Sequence, residues 1–83
     1  MSILGAIVRC HPKDSADLAE RLRREPGVDL ARRADGAEAD GRFVVAIEDS
    51  PGSTAAETLA AIALWPQVLN TSLVYEHAEG GGS

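Results

Sequence analysis

One cysteine, Cys10, stands among the 83 residues, so the chain can form no internal disulfide, no CxxC redox pair and no multi-cysteine zinc site. A chain so poor in cysteine suits a reducing compartment, and the expected location is the cytoplasm. Aromatics are almost as scarce: Phe43, Trp65 and Tyr75 are the whole set, so the core has to be built from Val, Leu, Ile and Ala. No apolar run approaches the ~20 residues that a membrane-spanning helix needs. The opening "MSILGAIVRCHP" has no basic stretch ahead of its short apolar run, and it is not expected to serve as an export signal. Bases are missing from the second half. Residues 1–42 hold eight acids and eight bases, whereas residues 43–83 hold five acids and none, which accounts for the net charge of −5. Such a surface repels phosphate and anionic lipid and steers cations inward, so nucleic acid and membrane are disfavoured and a basic peptide is the favoured partner. The plainer use of the same acids is solubility.

What is present has a regular order. "ILGAIVRC" (3–10) is a β-branched run closed by His11-Pro12, and it reads as a strand. "KDSADLAERLRRE" (13–25) sets Leu18, Ala19 and Leu22 on one helical stripe, with acids early and arginines late as the helix dipole prefers; Pro26-Gly27 ends it. "VDLARR" (28–33) reads as a short second strand whose Arg32 and Arg33 suit a guarded sheet edge, and "ADGAEADG" as the turn after it. "RFVVAIED" (42–49) is the third strand. Thr54 and Glu57 have capping-box spacing at the start of "TAAETLAAIALW", whose apolar stripe is Leu59, Ile62 and Ala63. Pro66 closes this helix, and "VLNTSLVYEH" (68–77) is the fourth strand.

The order βαββαβ carries an internal echo, because "LRREPGV" (22–28) and "IALWPQV" (62–68) share a pattern of apolar residue, proline and valine. Two such βαβ halves interleave into an α+β, ferredoxin-like fold: a four-stranded antiparallel sheet with both helices on one face. A single domain over residues 1–77 is expected, with residues 78–83 as a glycine-rich tail.

Buried charge is costly, so the face under the helices takes the more consistently apolar set of each strand. That assigns Leu4, Ala6, Val8 and Cys10 inward, then Phe43, Val45 and Ile47, then Leu69, Thr71, Leu73 and Tyr75. The face left open is expected to carry Ile7, Val44, Ala46 and Val74 as an apolar floor among Arg9, Glu48, Asn70, Ser72 and Glu76, with Val68 also turned outward. A contiguous apolar patch on an uncovered sheet face marks an interaction surface; a second copy of the chain or a crossing tail would cover it equally well.

Candidates for chemistry are thin. His11 and His77 have no second ligand at helical spacing. "DGAEADG" lacks the glutamate a calcium loop needs at its twelfth position, and "DSPGSTAAE" has neither the glycines nor the lysine of a phosphate loop. Copper chaperones share the expected topology but use paired cysteines. Cys10 reads as a small core residue. No catalytic residue, metal or cofactor is expected.

The segments "VLNTSLVYEH", "EPGV", "GRFVVAIED" and "ILGAIVRC" together resemble the NapD family over residues 3–77, with "SLVYEH" the most specific part. The resemblance implies a ferredoxin-like cytoplasmic chaperone, not an enzyme, that binds the twin-arginine signal peptide of the catalytic subunit of periplasmic nitrate reductase and restrains export until cofactor loading is complete. Such a signal is basic at one end and apolar in its middle. The peptide-binding residues are then expected to be Ile7, Arg9, Val44, Ala46, Glu48, Asn70, Ser72, Val74 and Glu76. Apolar side chains of a helical peptide would lie on Ile7, Val44, Ala46 and Val74, and its arginines would meet Glu48 and Glu76, with Arg9 a competitor for Glu48. Strand addition beside strand four is the other docking mode. A monomer is the expected state, with a homodimer the alternative. The competing readings are an ACT-like small-molecule regulatory domain and a homodimerisation module.

Overall fold

A computed structural model describes residues 2–31 and 40–78. Its elements are β1 (Ser2–Cys10), a 3-10 turn (Pro12–Asp14), α1 (Ser15–Arg24), β2 (Val28–Leu30), β3 (Arg42–Glu48), α2 (Ala55–Ala63) and β4 (Val68–Ala78). The strands form one antiparallel sheet in the order β2-β3-β1-β4, and this is the ferredoxin-like arrangement the sequence predicts. α1 begins two residues later than its periodicity suggests, because residues 12–14, led by proline, wind as a tighter 3-10 turn. β2 is shorter than predicted. Among the described residues its ladder continues through the bond from Ala31 N to Val44 O at 2.9 Å, and the guarded edge expected at Arg32 and Arg33, like most of the acidic turn, lies outside the described residues.

One face of the sheet meets both helices. Leu4, Ala6, Val8 and Cys10 from β1 and Phe43, Val45 and Ile47 from β3 pack with Leu18, Ala19 and Leu22 of α1 and with Ala55 and Ile62 of α2. The phase predicted for β1 and β3 is the one observed. At the start of α2, the Thr54 hydroxyl accepts from Glu57 N at 3.1 Å while the Glu57 carboxylate accepts from Thr54 N at 2.9 Å, a complete capping box. Asp49 accepts from Ala55 N at 2.7 Å, so one further backbone donor that a helix start leaves open is held by a side chain.

The sequence echo is a structural repeat. Glu25 N donates to Leu22 O and Val28 N to Glu25 O; forty residues on, Trp65 N donates to Ile62 O and Val68 N to Trp65 O. Each bond pair folds the chain out of a helix, past a proline, and into an edge strand. α1 reaches across to the second copy: the Arg21 guanidinium lies 4.0 Å from the Trp65 ring centroid and donates to Gln67 Oε1 at 3.3 Å.

β4 departs from the predicted phase. Its pairing with β1 shifts register twice, once between Gly5 and Ala6 and once between Arg9 and Cys10. Across the first shift Tyr75 opposes Gly5 and Leu73 opposes Ala6, so Val74 is an inserted residue; across the second, Leu69 is inserted between Val68 and Asn70. Directly opposed residues share a face. Val68, opposite Cys10, therefore turns to the core and packs against it, where alternation had turned it outward. Tyr75, opposite Gly5, moves to the open face. Glu76, opposite Leu4, moves to the helix side. Each β-bulge adds one residue and so flips the alternation for everything beyond it. Leu73 and Thr71 keep the predicted side, but β4 is an edge strand, and Leu69, Leu73, Val74 and Tyr75 are 56%, 57%, 58% and 50% exposed.

Candidate functional site

No described element covers the other face of the sheet. The register divides its side chains into four rows across the strands. His77, Ile3 and Glu48 form the first, and Tyr75, Gly5, Ala46 and Asp29 the second. Ser72, Ile7 and Val44 form the third, and Asn70, Arg9 and Arg42 the fourth. The two middle rows are the apolar floor, where Ile7, Val44 and Ala46 are each partly exposed.

Gly5 shapes the second row. A Cβ built on it would run into the Tyr75 ring, so the ring lies directly over the backbone of a central strand, in space that any other residue would fill. The flat phenol thereby extends the floor formed by Ile7 and Val44.

Charge on this face is separated along the strands. Glu48 and Asp29, both exposed, belong to the first two rows, whereas Arg9 and Arg42, also exposed, oppose one another in the fourth. Arg9 and Glu48 are six positions apart in register, about 20 Å at 3.3 Å per residue, so Arg9 does not compete for Glu48 as expected. Two like charges directly opposed on neighbouring strands repel each other, and neither arginine is ion-paired within the described residues; the ion pairs there join Glu20 to Arg23 and Arg24 on the outside of α1.

Of the nine residues predicted for the site, Ile7, Arg9, Val44, Ala46, Glu48, Asn70 and Ser72 share the open face. Glu76 does not, and Val74 sits in a bulge with no partner on β1. The face also carries Ile3, Asp29, Arg42, Tyr75 and His77, which the prediction did not include. Arg42 and Asp29 follow from strand alternation alone once their strands are placed, whereas Tyr75 depends on a bulge that alternation hides. On the opposite face, burial raises the pKa of the Cys10 thiol and the charge of Asp14 adds to the effect, which makes it a poor nucleophile. Among the described residues no three His, Cys, Asp or Glu side chains gather as a metal site would need, and no helix there is long and apolar enough to cross a membrane.

The fold and this face define a small ferredoxin-like domain with one sheet surface that no described element covers, apolar at its centre, with Glu48 toward one end and Arg9 and Arg42 at the other. The chain belongs to the NapD family, whose description "NapD protein" it matches over residues 1–80. Among solved structures it is similar to one described as the solution structure of the E. coli Tat proofreading chaperone protein NapD, at 25% identity and a TM-score of 0.71, covering 98% of this chain and 82% of that one. No curated protein sequence matches it.

Proposed function

We propose that this protein is a non-catalytic chaperone that binds a twin-arginine signal peptide across the open sheet face and restrains export of its cargo during maturation. The cargo is the catalytic subunit of a periplasmic nitrate reductase, and the chaperone acts in the cytoplasm as a monomer. Membership of the NapD family and similarity to a Tat proofreading chaperone support this reading. The observation that carries it is the open face itself, since a floor of Ile7, Val44, Ala46 and the Tyr75 ring beside exposed carboxylates suits a peptide that is part apolar and part cationic. Apolar burial supplies most of the affinity, because exposed ion pairs contribute only about 0–1 kcal/mol each; the charges set on-rate and orientation.

The two bulges favour a docked helix over an added strand. Between Leu69 and Val74 only Asn70, Thr71, Ser72 and Leu73 pair regularly with β1, and bulges twist an edge away from further pairing. Titrating the isotope-labelled protein with a synthetic twin-arginine signal peptide, and with one whose arginine pair is replaced by glutamine, tests the proposal. Amide shifts are expected on β1 and β3 with the first peptide and weaker ones with the second. Shifts confined to α1 and α2, or no binding, would overturn it.

A further inference from the structure

The open face has a direction, and a helical peptide has one too. Its charges are separated lengthwise along β1 and β3, so a helix docked along the strands spans about 20 Å between Glu48 and the Arg9–Arg42 row, the length of roughly 13 helical residues at 1.5 Å each. Exported peptides of this class carry their positive charge at the amino end, ahead of the apolar segment. A helix also carries partial positive charge at its amino terminus and partial negative charge, with unsatisfied carbonyl groups, at its carboxyl terminus. Both effects point the same way.

We infer that the peptide binds in one orientation, with its amino end and arginines against Glu48, Asp29 and the Tyr75 ring, and the carboxyl end of its helix against the Arg9–Arg42 pair. This rests on the reading of the open face as the peptide site. Tyr75 offers a partly exposed ring on which one guanidinium stacks, while Glu48 and Asp29, on β3 and β2, receive the other. At the other end Arg9 and Arg42, opposed across β1 and β3, present guanidinium donors to the last carbonyls of the helix. In the reversed orientation the peptide's arginines would face these two cations, and its helix carboxyl end would face two carboxylates. The arginine pair therefore acts as a specificity device by repulsion as much as by attraction.

The test uses a synthetic twin-arginine signal peptide carrying a nitroxide at either its amino or its carboxyl end, bound to the isotope-labelled protein. The amino-end label is expected to broaden the amides of Ile3, Asp29 and Glu48, and the carboxyl-end label those of Arg9, Arg42 and Asn70. The reverse pattern, or both labels broadening both ends equally, overturns the inferred orientation and leaves face docking intact. Broadening confined to the helices overturns the docking site, and the orientation with it. In the double variant Arg9→Glu and Arg42→Glu, both positions being exposed, the two labels are expected to give patterns that resemble each other. If the wild-type contrast persists there, the arginine pair does not set direction.

Discussion

Val44 and Val45 are neighbours in sequence and lie on opposite sides of the sheet. Val45 is 1% exposed, opposite Ala6 and Leu30, whereas Val44 is partly exposed on the open face opposite Ile7. Substituting each with asparagine changes side-chain polarity without altering the charges of the face. At Val45 the substitution gives up about 1.5–3 kcal/mol of side-chain burial and buries an amide without partners, at about 1–3 kcal/mol more. Against a total stability of about 4–12 kcal/mol for a chain of this length, a combined loss of roughly 3–6 kcal/mol lowers the melting temperature by well over 10 °C or leaves the protein unfolded. At Val44 the new amide is hydrated, and the loss stays below about 1 kcal/mol. Peptide binding responds differently, because Val44 contributes to the floor, and losing one or two methyl contacts at about 0.8 kcal/mol each weakens affinity roughly tenfold. Circular-dichroism melts and calorimetric titration with the signal peptide report the two quantities separately. Equal destabilisation by both variants would refute the phase assigned to β3; wild-type peptide affinity in Val44→Asn would refute the floor as the docking surface.

Removing the cap of α2 by Thr54→Ala is expected to cost about 1 kcal/mol, a fall of roughly 4–8 °C in melting temperature for a domain of this size. Gly41 and Gly52 both have positive φ, +87° and +89°, but a Cβ on Gly41 collides with the carbonyl oxygen of Cys10 whereas one on Gly52 meets nothing within 4 Å. Gly41→Ala is therefore expected to cost more than the ~1–3 kcal/mol of left-handed strain alone, and equal denaturation midpoints for Gly41→Ala and Gly52→Ala would disprove that contact. Because burial raises the pKa of the Cys10 thiol, the neutral thiol is the form that folding favours. Its contribution to stability is complete below the unfolded thiol pKa of about 8.5 and is lost as pH rises through the higher folded value. Denaturation of the wild type at pH 7 and pH 10 is expected to show a larger alkaline loss than Cys10→Ala, and the thiol is expected to react with a disulfide reagent only as the chain unfolds.

Where alternation was uninterrupted, the sequence was enough: β1 and β3 are central strands with a hydrogen-bonded strand on each side, and the apolar set of each points to the core as a two-residue period demands. β4 broke the rule because it lies at an edge, where an extra residue disturbs one ladder rather than two, and because "LVY" reads the same whether it alternates or bulges. The legible signal was Gly5: a glycine in the middle of a β-branched strand marks close approach by another group, and here that group is the Tyr75 ring. This makes the bulge testable by deletion. Removing Val74 takes out the inserted residue and leaves Leu73 opposite Ala6 and Tyr75 opposite Gly5, so the variant is expected to stay folded with the Tyr75 ring still against Gly5, detectable as nuclear Overhauser contacts between them. Were β4 a regular strand with Leu73 inward, Tyr75 would lie on the helix side in the wild type, and the deletion would turn it to the open face, so the Gly5–Tyr75 contacts would appear only in the variant. Contacts present in the variant but absent from the folded wild type would refute the bulge, and with it the place of Tyr75 on the docking face.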